Sequence, residues 1–178
     1  VCPVAKGAIR LVVAFTGAMA HGAMPWMGRN PLPAVGTMLT ALADTQHVLR
    51  ATHGDHPLLG PICLTPTVLQ AGELEQINVM PATATLAVDI RTTPAVDHRA
   101  LLAQLADTAG RIAHDAGLGV ELTVVDDRPP VDTPIDHPVV RAMLAGHRVA
   151  TGTEAVIGGV PGATDGTILT RDAGLATV

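Results

Sequence analysis

A chain of 178 residues accommodates one ordinary domain, or one small domain with part of another. With 48% hydrophobic and 15% charged residues it is globular rather than disordered, and a net charge of -5 offers no attraction to nucleic acid or an anionic membrane. No apolar run approaches the roughly 20 residues that cross a bilayer, and no signal-peptide pattern is present, so a cytoplasmic protein is expected.

Residues 7–16, dense in Ile, Leu, Val and Phe, read as a strand buried on at least one face. A glycine-rich loop, Gly17 to Gly28, follows and carries His21, with Gly22 and Pro25 as turn residues. Read by spacing alone, His21 is a surface loop histidine. Asn30-Pro31 opens a helix, with Asn30 as cap and Pro31 where no amide donor is missed. Val35, Met38, Leu39, Leu42 and Leu49 carry that helix's apolar stripe to about Ala51. His53-Gly54-Asp55-His56 has metal-like spacing, but it leaves a helix for a Leu-Leu-Gly-Pro turn and reads as an exposed loop.

Residues 65–71 and 82–91 are expected to be strands flanking a polar connection with Glu73 and Glu75. Thr93-Pro94 is expected to open a second helix that stops at Gly117, before a strand over 120–125. Strand, helix, strand, strand, helix, strand is the ferredoxin-like βαββαβ pattern, an α+β fold with both helices on one sheet face. Arg128 to Pro138 holds four prolines and reads as a domain crossing. Beyond it, a helix over 138–150 and a strand over 155–157 are expected before Gly158 to Gly166, too little chain for its own core.

Cys2 and Cys63 are far apart and without metal-type spacing, so a disulfide or a zinc pair is not expected. Phe15 and Trp26 are the aromatic residues, which leaves the core to aliphatic side chains and Met. Val1 is not a methionine and Val178 falls at what reads as the entry to another strand, so a fragment of a longer polypeptide is expected.

Three stretches in order carry a family resemblance: Ala20-His21-Gly22-Ala23-Met24-Pro25 with Gly28-Arg29-Asn30; Gln76-Ile77-Asn78-Val79-Met80-Pro81 leading to Val88-Asp89-Ile90-Arg91; and Pro161-Gly162-Ala163-Thr164-Asp165-Gly166. Together they resemble the M20 family of zinc aminoacylases and peptidases, of the acetylornithine deacetylase and succinyl-diaminopimelate desuccinylase kind. The resemblance implies a lid, or dimerisation, domain over 1–128 and a truncated part of an α/β catalytic domain over 129–178. It also implies a homodimer that hydrolyses the amide bond of an N-acyl amino acid or small peptide with two zinc ions. The stretches that match contain none of the family's zinc ligands, so this chain is expected to bind no metal. By the same resemblance His21 is catalytic, entering the partner's active site to donate to the oxyanion, while Asn78, Arg91, Gly162, Ala163 and Thr164 contact substrate.

Read as residues alone, Arg91 is equally a salt-bridge partner of Asp89 or Asp97, Asn78 a turn asparagine, and Gly162 to Asp165 a turn that caps a helix. The alternative to the enzyme fragment is a non-catalytic ferredoxin-like module that dimerises or holds a small anion.

Overall fold

A computed structural model describes all residues, 1–178. In chain order the elements are β1 Val4–Ala5, β2 Gly7–Thr16, β3 Ala20–His21, a 3₁₀ turn at Pro25–Met27, α1 Leu32–His53, β4 Cys63–Ala71, a second 3₁₀ turn at Leu74–Gln76 and β5 Val79–Met80. There follow β6 Thr83–Thr92, α2 His98–Ala116, β7 Gly119–Arg128, β8 Val131–Asp132, α3 Pro138–Thr151, β9 Gly159–Val160 and α4 Asp165–Ala173.

Four strands in the order β4-β6-β2-β7, antiparallel throughout, form the main sheet. This is the expected ferredoxin-like order, in which each helix crosses over one intervening strand. Side chains alternate across a strand, so Ile9, Leu11, Val13 and Phe15 of β2 and Leu86, Val88 and Ile90 of β6 share one face. Val35, Met38 and Leu42 of α1 and Leu101, Leu105 and Ala109 of α2 close over them in one core cluster. Phe15 is its only aromatic member, and each large aliphatic side chain buried there contributes about 1.5–3 kcal/mol.

The helix starts show local chemistry. Asn30 Oδ1 accepts the Leu32 amide at 3.0 Å, while Pro31, expected as the first helical residue, occupies the cap position of α1. The second helix, however, begins at His98 and not at Thr93-Pro94. Thr93 and Val96 close a turn, and Asp97 is the cap, its carboxylate accepting the Ala100 amide at 3.0 Å. Val96, just before the cap, and Leu101, in the first turn, both enter the core and fix this start as a hydrophobic staple.

A second, three-stranded sheet has the order β8-β1-β9, with β1 antiparallel to β8 and parallel to β9. The strand expected at 155–157 therefore lies at Gly159–Val160. Pairing with Val4 and Ala5 selects it, and a Cβ on Gly159 would stand 2.6 Å from the Leu58 carbonyl oxygen, which only glycine permits. Lys6, 5% exposed, sits between β1 and β2 and donates from Nζ to the Pro61 carbonyl at 2.5 Å.

Candidate functional site

The loop after β2 is built, not slack. Gly17 donates to the Ala82 carbonyl at 2.8 Å, and Ala18 and Arg29 exchange backbone hydrogen bonds at 3.0 and 2.9 Å. Gly28 lies so close to the Ala18 carbonyl and Met80 that a Cβ there would collide with both. β3 then pairs with β5, placing His21 opposite Val79, and Gly22 donates to the Asn78 carbonyl at 2.7 Å.

These backbone bonds bring two predicted site residues together across 57 positions of sequence. His21 Nε2 lies 3.2 Å from Asn78 Nδ2, and His21 Nδ1 accepts the Ala23 amide at 3.1 Å. Both side chains are exposed, on a projection whose surface also carries Met19, Met24, Met27 and a Trp26 that is 74% exposed. A neutral imidazole here can donate or accept a hydrogen bond to a group brought up from outside.

Arg91 is elsewhere. It lies on the helix-free face of β6, opposite Ala8 and Cys63, and grips Asp89 with Nε at 2.6 Å and Nη2 at 3.0 Å. Of the two aspartates suggested by sequence, Asp89 is its partner, since Asp97 caps α2. Arg10 lies 3.2 Å from Asp126 and 3.9 Å from Asp89, and Arg128 lies 3.1 Å from Asp126, so charges alternate across β6, β2 and β7. From Thr83, beside the His21 hairpin, to Arg91 is eight residues of strand, about 26 Å at the usual rise. Arg91 and His21 therefore stand at opposite ends of the sheet.

Gly162, Ala163 and Thr164 form the link from β9 to α4, at the Arg91 end of β2. A Cβ on Gly162 would meet nothing within 4 Å. Thr164 occupies the cap position of α4, yet its hydroxyl makes no capping bond.

The tempting His53 to His56 segment is a turn. His56 Nδ1 accepts the Leu58 and Leu59 amides at 3.2 Å each, while His53 and Asp55 point into solvent. No three or more His, Cys, Asp or Glu side chains stand together as a group that could hold a metal ion. Glu73 and Glu75 are exposed around the second 3₁₀ turn.

One constellation escaped the sequence. His98 lies 2.6 Å from Thr92 Oγ1 through Nε2 and 2.6 Å from Asp127 Oδ1 through Nδ1. The order hydroxyl, imidazole, carboxylate is that of a nucleophilic triad, but Thr92 is 0% exposed and no substrate can reach it. The group instead seals the end of the core between β6, α2 and β7. Nothing in the spacing of a threonine, a helix-start histidine and an aspartate 29 residues later announces it.

Compared with known proteins, residues 5–116 match the model of the peptidase dimerisation domain of the M20 group. A curated succinyl-diaminopimelate desuccinylase of Ruegeria pomeroyi is 29% identical over 119 residues, covering 67% of this chain and 30% of that protein. Among solved structures, a tripeptidase from Staphylococcus aureus superposes with a TM-score of 0.74 at 16% identity, over 98% of this chain and 43% of that one. Aminopeptidase PepT from Bacillus cereus does so with a TM-score of 0.72 at 14% identity, over 95% and 42%. These two likenesses speak to the fold alone. The chain thus spans about 30% of the length of the curated relative and under half of each solved one.

Proposed function

Because the chain belongs to the M20 peptidase dimerisation domain family, we propose that it is the lid, with an adjoining piece of catalytic domain, of a homodimeric cytoplasmic amidohydrolase acting on an N-acyl amino acid or small peptide. Residues 1–128 serve as the lid and 129–178 as the catalytic portion, tied together where β1 pairs with β8 and β9. The two zinc ions of such an enzyme would be held by residues outside this chain.

In this reading His21 donates a hydrogen bond to the oxyanion, Asn78 and Arg91 contact a substrate carboxylate, and Gly162, Ala163 and Thr164 line the approach. One such oxyanion donor contributes roughly 3 kcal/mol to the transition state. An arginine fork holds a carboxylate through two parallel bonds, which here means exchanging Asp89 for substrate.

The observation that carries the proposal is the separation of about 26 Å along β6. No small amide substrate spans it, so His21 and Arg91 can serve one substrate only if they come from two different chains. A dimer supplies that arrangement, with the projecting His21 hairpin entering the site of its partner. One of the two edges of the sheet offers a place for the partner to pair: β4 bonds to β6 alone, and Val68 and Leu69 on it are exposed.

The test is subunit complementation in the complete polypeptide. His21→Ala and Arg91→Ala are each expected to be inactive. Mixed after subunit exchange, they should regain about a quarter of wild-type activity, because half of the sites in the mixed dimer contain both native residues and mixed dimers are half of the population. Demonstrated mixed dimers with no regained activity overturn the reading, as does full activity of either single variant.

A further inference from the structure

The hydrogen bonds around His21 leave a conflict whose resolution assigns a role to Asn78. The Ala23 N–H points at Nδ1 at 3.1 Å, and Asn78 Nδ2 stands 3.2 Å from Nε2. Both neighbours are donors, whereas a neutral imidazole has one nitrogen with a free lone pair and one that carries the proton. The Ala23 contact is made by backbone and cannot be reversed, so Nδ1 is the acceptor and the proton sits on Nε2. Turning the Asn78 amide by half a rotation, which exchanges two atoms of nearly equal size, then sets Oδ1 against the Nε2 proton.

The backbone around this pair holds it in register. Val79 lies opposite His21, and the Gly22 amide donates to the Asn78 carbonyl at 2.7 Å. A Cβ on Gly22 would stand 3.2 Å from that carbonyl oxygen, tighter than ordinary contact, so the glycine lets the two segments approach.

We infer that Asn78 is a positioning residue, which together with the Ala23 amide fixes His21 as the Nε2–H tautomer. A histidine so held presents a hydrogen-bond donor while uncharged, which is what stabilising a developing oxyanion demands. The same amide orientation turns Asn78 Nδ2 away from the ring, leaving it able to meet substrate. This inference rests on the proposed function for its catalytic meaning, but the tautomer is a property of the chain itself.

The experiment is long-range 1H–15N correlation spectroscopy on the complete polypeptide at a pH where the imidazole is neutral, with His21→Gln used to assign the His21 signals. The wild type should show a protonated Nε2 and an unprotonated Nδ1. Asn78→Asp keeps an acceptor against Nε2 and should retain that pattern. Asn78→Leu removes it and should shift both nitrogens toward averaged values. A protonated Nδ1 in the wild type, or an Asn78→Leu spectrum identical to the wild type, overturns the assignment.

Kinetics of the complete polypeptide separate the two proposals. Asn78→Leu should lower kcat in step with the lost tautomer, and Asn78→Asp should chiefly raise KM. If the tautomer is fixed but His21→Ala leaves kcat unchanged, the proposed function fails and the tautomer assignment stands. If His21→Ala abolishes activity while the wild-type ring shows averaged nitrogens, the reverse holds.

Discussion

The Nε2 atom of His98 lies 2.6 Å from the hydroxyl of Thr92, with both side chains buried at the end of the core. Asp127 completes the group through Nδ1, and the Arg171 guanidinium of α4 donates to the Asp127 carbonyl at 3.2 Å. A polar knot in this position holds α2 to two strands and reaches the C-terminal helix. Its removal should therefore cost stability. His98→Leu leaves the Thr92 hydroxyl buried without a partner, at a cost of about 1–3 kcal/mol. For a chain of this size that is a fall in Tm of about 2–12 °C, measured by calorimetry. An unchanged Tm would show that the knot does no structural work.

Gly7 lies directly beneath that knot. A Cβ there would collide with the Thr92 hydroxyl and stand 2.9 Å from both His98 Nε2 and the Arg128 carbonyl oxygen. Backbone blocks one side and a fully bonded ring the other, so neither can yield cheaply. Gly7→Ala should destabilise by about 1–3 kcal/mol, the usual range for overpacking, in urea unfolding. The control is Gly36→Ala in α1, where a Cβ would meet nothing within 4 Å and helix propensity should raise stability by about 0.5–1 kcal/mol.

Asp97 is the sole side chain seen to cap α2, through the Ala100 amide. Asp97→Ala should lower stability by about 1 kcal/mol, and Asp97→Ser should restore most of it, because either hydroxyl or carboxylate oxygen can accept that amide. Equal losses in both variants would locate the effect in charge and not in capping.

The exposed edge of β4 is where self-association is expected. Val68→Lys places a charge on a strand whose outer amides and carbonyls have no partner, the device by which natural edges resist pairing. Sedimentation should show a dimer for the complete polypeptide and a shift toward monomer for the variant, with the far-ultraviolet spectrum unchanged. A variant dimer as tight as the wild type would move the interface elsewhere.

Arg171 and Asp172 provide a pH prediction of defined sign. Two hydrogen bonds from the Arg171 guanidinium, at 2.6 and 3.0 Å, hold the Asp172 carboxyl below its ordinary range and raise the guanidinium in return. A lowered folded value means the folded chain binds this proton less readily than the unfolded chain. The pair's contribution is therefore present above the usual aspartate range and lost as pH falls through the lowered value. The pair is solvent-exposed, so the effect on stability is small and screened by salt. Carboxyl carbon NMR should place the Asp172 midpoint below that of an exposed reference aspartate, and Arg171→Gln should return it to the ordinary range.

Much of the main sheet and its helices was readable from pattern because it depends on neighbours a few positions away. Period-two alternation in β2 and β6 and the apolar stripe of α2 each place one face toward the core wherever the chain goes. The start of α2 lies several residues beyond the Thr93-Pro94 signal because that dipeptide offers the same local cue as Asp97. The competition was settled by Val96 and Leu101, which reach the core together when Asp97 is the cap.

Sequence alone therefore determined the order of the four main-sheet strands and their two helices, the aliphatic core and the motifs that carry the family resemblance. Those features follow from side-chain periodicity, turn residues and caps, all of which act over a few positions. The meeting of His21 with Asn78, the separation of that pair from Arg91 by the length of β6 and the burial of Thr92 beside His98 belong to the folded chain. So does the pairing of Val4–Ala5 with Gly159–Val160. The reason is that strand pairing and burial decide which distant residues share a few ångströms, and no local preference encodes the partner of a contact made across 57 or 155 positions.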